Sequence, residues 1–339
     1  MQIEDFDYSF PEELIATRPA ENSRVLWASD HPQKTPKEIS IETLIESIPA
    51  GDAFVINETK VVKKKVPAKS SSGKDFDVVF LKSTDAVEWE VLFPLKKLKS
   101  GEELHFPLGQ KAKLTKKGLP QKICFSEPLS EDFFQQAGKM PLPTYIEKQR
   151  QGDEKFDDES WYQTAWAKVA GSAAAPTASL HFKKHHIARL KERGVEVIPL
   201  CLHVGLGTFQ PIQTKDIREH QMHKEEIFIS RDSVEKLKGK KIWALGTTVV
   251  RSLESFANGY LKEDASGNLE GESDLYIYPG YKFRMVDHML TNFHQPKSSL
   301  IAMVAAFAGL ETVKRNYAWA VENRFRLFSY GDLSVWSRQ

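Results

Sequence analysis

A chain of 339 residues, 41% hydrophobic and 27% charged, is long enough for two domains or for one large domain with an insertion, and its balance excludes a disordered or collagen-like chain. Its two cysteines, Cys124 and Cys201, form no Cys-x-x-Cys, which excludes a disulfide framework or a zinc ribbon and suits a reducing compartment. The net charge of +1 conceals an asymmetry: between Lys60 and Lys122 stand fifteen lysines, no arginine and seven acidic residues, so a basic stretch joins an acidic remainder and hints at a polyanionic partner.

In chain order, Ser9, Pro11, Glu12 and Glu13 read as the start of a short helix, residues 40–48 as a second helix ended by Pro49, and residues 51–57 as a buried strand after a turn. From about 62 to 128 the pattern changes to short alternating runs at 75–82, 88–95, 102–106, 111–116 and 121–125, separated by turn formers such as Ser70-Ser71-Ser72-Gly73. That spacing predicts a compact all-β module. After Met140-Pro141-Leu142-Pro143, strands and helices alternate. Helices are expected at 180–194, 230–238, 247–257, 298–308 (closed by Gly309) and 312–323, and strands at 195–203, 225–229, 241–246, 275–278 and 285–290. Alternation implies a largely parallel α/β core, and the strand at 51–57 is expected in the same sheet. The expected architecture is therefore an α/β, barrel-like main domain of residues 1–61 and 150–339, with a small all-β barrel inserted at 62–149. The apolar run at 300–310 is too short to span a membrane, and the first five residues lack both parts of a signal peptide, so a cytoplasmic location with no membrane partner is expected.

Eight of the ten histidines fall between His181 and His294, together with three unusual loops. Gly171-Ser172-Ala173-Ala174-Ala175-Pro176-Thr177-Ala178-Ser179-Leu180-His181-Phe182 offers a run of minimal side chains that another group can approach closely, followed by hydroxyls where a helix begins. Read by spacing alone it is a close-packed loop before a helix in preference to a binding loop. Leu202-His203-Val204-Gly205-Leu206-Gly207-Thr208-Phe209 ends an apolar strand but lacks the third glycine of a dinucleotide fingerprint. Ala244-Leu245-Gly246-Thr247-Thr248 runs a strand straight into a helix, where α/β ligands gather, with Arg251 and Glu254 one and two turns further on. Asn292-Phe293-His294 follows a strand, and Ser329-Tyr330-Gly331-Asp332 is read as following the last one; several such polar tips on one sheet are expected to share a pocket. His220-x-x-His223 is a weak metal pattern, with no accompanying carboxylate motif.

These motifs resemble the S-adenosylmethionine:tRNA ribosyltransferase-isomerase family of queuosine biosynthesis. The resemblance is carried by Ala174-Ala175-Pro176-Thr177-Ala178-Ser179-Leu180-His181-Phe182, by the His203 and Gly246 loops, and by Glu219-His220-Gln221-Met222-His223. It continues through Tyr278-Pro279-Gly280, Thr291-Asn292-Phe293-His294-Gln295-Pro296 and Phe328-Ser329-Tyr330-Gly331-Asp332, in family order; Met140-Pro141-Leu142-Pro143-Thr144-Tyr145-Ile146 also fits. The sequence departs from the family pattern at Glu58, Lys60 and Lys63-Lys64-Lys65. The resemblance implies an enzyme that moves the ribosyl part of S-adenosylmethionine onto 7-aminomethyl-7-deazaguanine at a tRNA wobble position. Adenine and methionine leave, and the sugar becomes an epoxycyclopentane. The expected site has His181, His203 or His294 for proton transfer. It has Pro176, Thr177, Gly205, Gly207, Thr208, Gly246, Thr247, Thr248, Arg251, Glu254, Asn292, Tyr330 and Asp332 for ligand contacts, Arg251 receiving the methionine carboxylate. Lys60, Lys63, Lys64 and Lys65 are expected to meet tRNA. No metal and no cofactor are expected, S-adenosylmethionine being consumed as a substrate, and a monomer is expected. Two other readings remain: a tRNA-binding protein of the same fold without the chemistry, and a metal hydrolase built on His220 and His223.

Overall fold

The computed structural model describes residues 1–31, 33–94, 98–118, 120–130, 132–150, 156–205 and 212–338. The chain forms two units: Met1–Lys60, Pro143–Ala170 and Ala175–Gln339 make the first, Val61–Leu142 and Gly171–Ala174 the second. Residues 143–149, expected in the insertion, thus fall in the first unit, and the segment Gly171–Ala174 falls in the second.

In chain order, β1 (Arg24–Trp27) and β2 (Lys37–Ser40) precede β3 (Ala53–Asn57) and β4 (Thr59–Val61). The second unit holds β5 (Lys65–Ser70), β6 (Asp75–Ser83), β7 (Glu88–Leu92), β8 (Glu103–His105), β9 (Lys111–Lys116) and β10 (Gln121–Phe125). After β11 (Val169–Ser172) come β12 (Glu196–Leu202), β13 (Glu225–Ile229), β14 (Ile242–Leu245), β15 (Lys262–Glu263), β16 (Leu269–Ser273), β17 (His288–Asn292) and β18 (Leu333–Ser337).

Among the described residues the first unit is built on a ten-stranded sheet, ordered β15-β16-β13-β12-β3-β14-β17-β18-β1-β2. Its middle is parallel: β3 runs with β12 and β14, and β14 with β17. β1 and β18 are also parallel, and the remaining pairs are antiparallel, so the parallel part is narrower than strand–helix alternation implies. All five residues of β3 are buried, the signature of a strand covered on both faces. On one face Phe54, Ile56, Trp243 and Leu245 pack with Ile41, Leu44 and Ile45 of the helix Ile41–Ser47 and Leu190 of the helix Lys184–Glu192. Ser40 caps the former by accepting the N–H of Thr43.

The second unit is a closed barrel in the order β10-β7-β6-β5-β8-β9, antiparallel throughout. Alternation sorts its side chains as expected. Phe76, Val78 and Phe80 of β6 and Ala112 and Leu114 of β9 point inward, while Lys111 and Lys113 are exposed. Phe80 is the hub, with the rings of Trp89, Phe106, Phe125, Phe133 and Phe134 within 6.3 Å of it, centroid to centroid.

Three expected elements differ. Residues 275–278 form no strand; the polar β16 pairs with β13 in their place, because sheet membership there is set by a partner strand and not by local propensity. The helix expected from 180 starts at Lys184, behind a 3-10 turn at Thr177–His181. The Ser329–Asp332 tip precedes the last strand instead of following it.

Candidate functional site

The carboxyl ends of β14 and β17 and the small-residue loop converge on a cleft of the first unit with about 640 Å³ of empty space, open solvent included. Pro176, Thr177, Gly246, Thr247, Thr248, Asn292 and His294, among the expected site residues, line it. Gly246 sits at φ +96°, a conformation L side chains avoid, and a Cβ there would lie 3.7 Å from that of Ala178. The small loop and the glycine turn therefore pack on each other while both face the cleft. The helix Thr247–Ala257 starts here with no side-chain cap, so the positive end of its dipole is directed at the cleft.

A chain of hydrogen bonds runs behind the wall. Thr177 Oγ1 is 2.9 Å from Asn292 Oδ1, Asn292 Nδ2 is 3.0 Å from His181 Nε2 and 3.3 Å from Gly331 O, and His181 Nδ1 is 2.7 Å from Ser23 Oγ. His181 is half-buried and does not line the cleft; it backs Asn292. Burial, and secondarily the Arg326 guanidinium, pushes its pKa down to about 4. His294 does line the cleft, with Nε2 2.8 Å from Thr291 Oγ1 and its N–H donated to Tyr317 Oη at 3.0 Å. Burial pushes its pKa down to about 3, so both rings are neutral at pH 7.

Other expected site residues are occupied elsewhere. Arg251 is buried against Glu225, each side chain 3% exposed, and Glu225 Oε1 also accepts the N–H of Gly205 at 2.8 Å. Burial lowers the Arg251 pKa to about 10, which still leaves it charged at neutral pH. It thus does not reach the cleft to receive a carboxylate. Glu254, one turn on, accepts from Tyr281 Oη at 3.0 Å and from the N–H groups of Arg284, Met285 and Val286 at 3.0, 3.0 and 3.2 Å, and so holds a loop. Tyr330 Oη donates to Asp158 at 3.2 Å, and Asp332 accepts the N–H groups of Arg24 and Arg326 at 3.2 and 2.8 Å. His203 Nδ1 is 2.8 Å from Thr59 Oγ1, away from the cleft, where Val204 is the lining residue of its loop. Gly207 and Thr208 lie outside the described residues.

Sequence reasoning left out Tyr145, Thr291, Gln295, Ser298, Phe328 and Ser329, all of which line the cleft. Five of them stand inside motifs already singled out: Thr291 and Gln295 beside Asn292, Phe328 and Ser329 beside Tyr330, and Tyr145 in the run Met140–Ile146. Tyr145 Oη pairs with Ser329 Oγ and takes the N–H of Ser329 at 3.1 Å. Among the described residues no ionised side chain lines the cleft, and no group of three or more His, Cys, Asp or Glu is arranged to hold a metal. His220 only ends a 3-10 turn, with extended backbone, so the two imidazoles of His220-x-x-His223 do not share a helix. Nor is any described helix long and apolar enough to cross a membrane.

The lysines at the start of the second unit are likewise engaged: Lys64 Nζ donates to Leu81 O and Gly171 O, each at 3.1 Å, and Lys65 pairs with Asp77 at 3.3 Å. Exposed lysines of that unit include Lys111, Lys113, Lys116 and Lys117.

A sheet whose parallel strand ends and a helix start enclose a neutral, hydroxyl-lined cleft defines an α/β protein built to bind a small polar ligand. A family model described as queuosine biosynthesis protein matches residues 3–335, and the chain belongs to that family. Proteins named S-adenosylmethionine:tRNA ribosyltransferase-isomerase from Halothermothrix orenii and from Carboxydothermus hydrogenoformans are each 39% identical to it, covering 98% of both chains. The crystal structure of an S-adenosylmethionine tRNA ribosyltransferase from Thermotoga maritima matches with a TM-score of 0.53 at 29% identity, over 98% of this chain and 99% of that one.

These two histidines, His181 and His294, make stability pH-dependent. Above pH 6.5 both rings are neutral, folded or unfolded. Below it the unfolded chain takes up protons that the folded rings refuse until about pH 4 and 3. Stability is therefore full above 6.5 and falls by about 1.4 kcal/mol per pH unit for each ring on the way down. Urea denaturation at pH 7.5, 6.0 and 5.0 is expected to show this slope, made shallower by His294→Gln. The Arg251–Glu225 pair gives a second expectation. Glu225→Gln leaves a buried charge unmatched and costs about 3–5 kcal/mol, whereas a double Arg251→Met, Glu225→Met variant recovers most of it. Chemical denaturation of the wild type and the two variants measures the difference.

Proposed function

We infer that this protein is an S-adenosylmethionine:tRNA ribosyltransferase-isomerase: it transfers the ribosyl part of S-adenosylmethionine to 7-aminomethyl-7-deazaguanine at the wobble position of tRNA, with loss of adenine and methionine. The observation that carries this reading is the cleft itself, walled by Thr177, the Gly246-Thr247-Thr248 turn and Asn292-Phe293-His294, in a chain of this family. The ligand is a sulfonium carrying a carboxylate, an ammonium and a nucleoside. A cleft with no fixed anion among its described lining residues leaves the sulfonium charge unquenched, so it acidifies the adjacent C–H bonds. With Arg251 committed to Glu225, the uncapped start of the helix Thr247–Ala257 is the seat for the methionine carboxylate. Of the three expected histidines His294 is the one on the wall, and so the one placed to meet the ligand, though burial makes its ring a weak base; His181 stands behind Asn292, and His203 does not line the cleft. The chemistry needs no metal or cofactor. The protein works in the cytoplasm as a monomer.

The test is adenine release from S-adenosylmethionine in the presence of tRNA carrying the aminomethyl base. Wild-type protein releases adenine in step with tRNA labelling, and His294→Ala lowers turnover by about 100-fold or more. Adenine release absent from the folded wild type, with tRNA binding intact, would favour a tRNA-binding protein that has lost the chemistry.

Recognition of tRNA falls to the exposed lysines of the barrel, with Lys60, while Lys64 and Lys65 hold the barrel's own strands. Exchanging Lys113, Lys116 and Lys117 for Ser is expected to lower the slope of log affinity against log salt by about 0.7–0.9 for each phosphate that no longer meets a lysine. S-adenosylmethionine binding stays unchanged. A slope equal to wild type places the phosphate-binding cations elsewhere.

A further inference from the structure

The hydrogen-bond chain behind the cleft has a direction. Gly331 O can only accept, so the atom of Asn292 that faces it at 3.3 Å is the amide nitrogen, which fixes the flip of that side chain. The same nitrogen faces His181 Nε2 at 3.0 Å, so Nε2 accepts and carries no proton. A neutral ring then keeps its proton on Nδ1 and donates it to Ser23 Oγ at 2.7 Å. At the other end the amide oxygen of Asn292 can only accept, so Thr177 spends its single hydroxyl proton on it at 2.9 Å.

We propose that Ser23 and His181 are positioning residues that lock the Asn292 amide, and that Thr177 is thereby fixed as a pure hydrogen-bond acceptor on the cleft wall, selecting a ligand N–H or O–H. A free threonine hydroxyl accommodates either a donor or an acceptor. This one discriminates, because turning its proton toward the cleft would strand the Asn292 oxygen behind the wall. Protonated His181 or the opposite tautomer would set two donors against each other at Nε2 and release the amide to flip, converting Thr177 into a donor. Burial keeps the ring neutral, as the lock requires. The choice of ligand donor rests on the proposed function: S-adenosylmethionine offers its ammonium, two ribose hydroxyls and the exocyclic amine of adenine.

The first arm does not depend on that function. In the full-length protein labelled with ¹⁵N-histidine, with His181→Gln used for assignment, the His181 ring at pH 7 is expected in the neutral Nδ1–H form. An Nε2–H tautomer or a protonated ring overturns the lock. The second arm compares wild type and Thr177→Val on S-adenosylmethionine and on analogues lacking the 2′-hydroxyl, the 3′-hydroxyl or the adenine amine. Thr177→Val is expected to lower kcat/KM about tenfold to a hundredfold, mainly through KM, the scale of an unmet polar contact. The one analogue without the selected donor loses a similar factor on wild type and nothing further on Thr177→Val; loss-free coupling at none of the three assigns the ammonium. Thr177→Ser and Ser23→Thr retain wild-type KM, whereas Ser23→Ala raises it. Thr177→Val equal to wild type, or Ser23→Ala without effect on KM, overturns the selection. A wild type that shows the Nδ1–H tautomer but neither binds nor turns over S-adenosylmethionine refutes the proposed function and leaves the lock standing.

Discussion

Asn57, fully buried at the carboxyl end of the central strand, ties together the elements that make the cleft. Its Oδ1 accepts the N–H groups of Thr59 and Leu202, each at 3.1 Å, and its Nδ2 donates to Leu202 O at 3.0 Å and reaches Thr248 Oγ1 at 3.4 Å. One amide thus satisfies backbone groups where β12 ends and where the chain turns out of β3, and meets a side-chain hydroxyl in the first turn of the helix Thr247–Ala257. An unmet polar group at zero exposure costs about 1–3 kcal/mol, so these bonds hold as a set. The same amide thereby links Thr248, in the first turn of the helix proposed to seat a carboxylate, to the central strand.

The same economy sorts the charged residues from the neutral ones. Buried charges require internal partners: Arg251 takes Glu225, Glu254 takes three backbone N–H groups and a tyrosine, and Asp332 takes two backbone N–H groups. None of the three reaches the cleft. Among the described residues the polar groups that line it, set among apolar side chains such as Val204, Phe293 and Leu300, are hydroxyls, amides and a neutral imidazole, which can orient a ligand without adding charge. The electrostatics of the site therefore come from a helix dipole and from proton direction more than from fixed charge.

Much of this is legible in the sequence because local rules and tertiary structure agree. Gly246 between an apolar strand and Thr247 is a strand-to-helix turn that glycine alone adopts easily, and the alternation around Phe76, Val78 and Phe80 has one sensible inward face. Elsewhere partners decide. β1 and β18 are short strands paired across the length of the chain, as in Val25 beside Leu333, and no window of residues contains that pairing. β16, Leu-Glu-Gly-Glu-Ser, has little strand propensity and is a strand because β13 offers it a ladder. Arg251 was misplaced for a related reason: spacing along a helix tells which residues share a face, and only the sheet tells which face meets Glu225 and which meets the cleft.

Phe328 shows how the wall is kept in shape. Its φ of +71° puts an aromatic residue in the left-handed region, at a cost of about 1–2 kcal/mol. The conformation persists because its surroundings determine it: the ring lies edge-on to Phe10 at 5.3 Å and Tyr145 at 5.2 Å, its N–H reaches Phe293 O at 3.2 Å, and Gly331 N–H closes the turn onto its carbonyl at 2.9 Å. That turn presents Ser329 to the cleft and carries Gly331 O to the Asn292 amide. Backbone strain at residue 328 and proton direction at residue 177 are therefore linked through one carbonyl oxygen, and relaxing the first would remove the acceptor that orients the second.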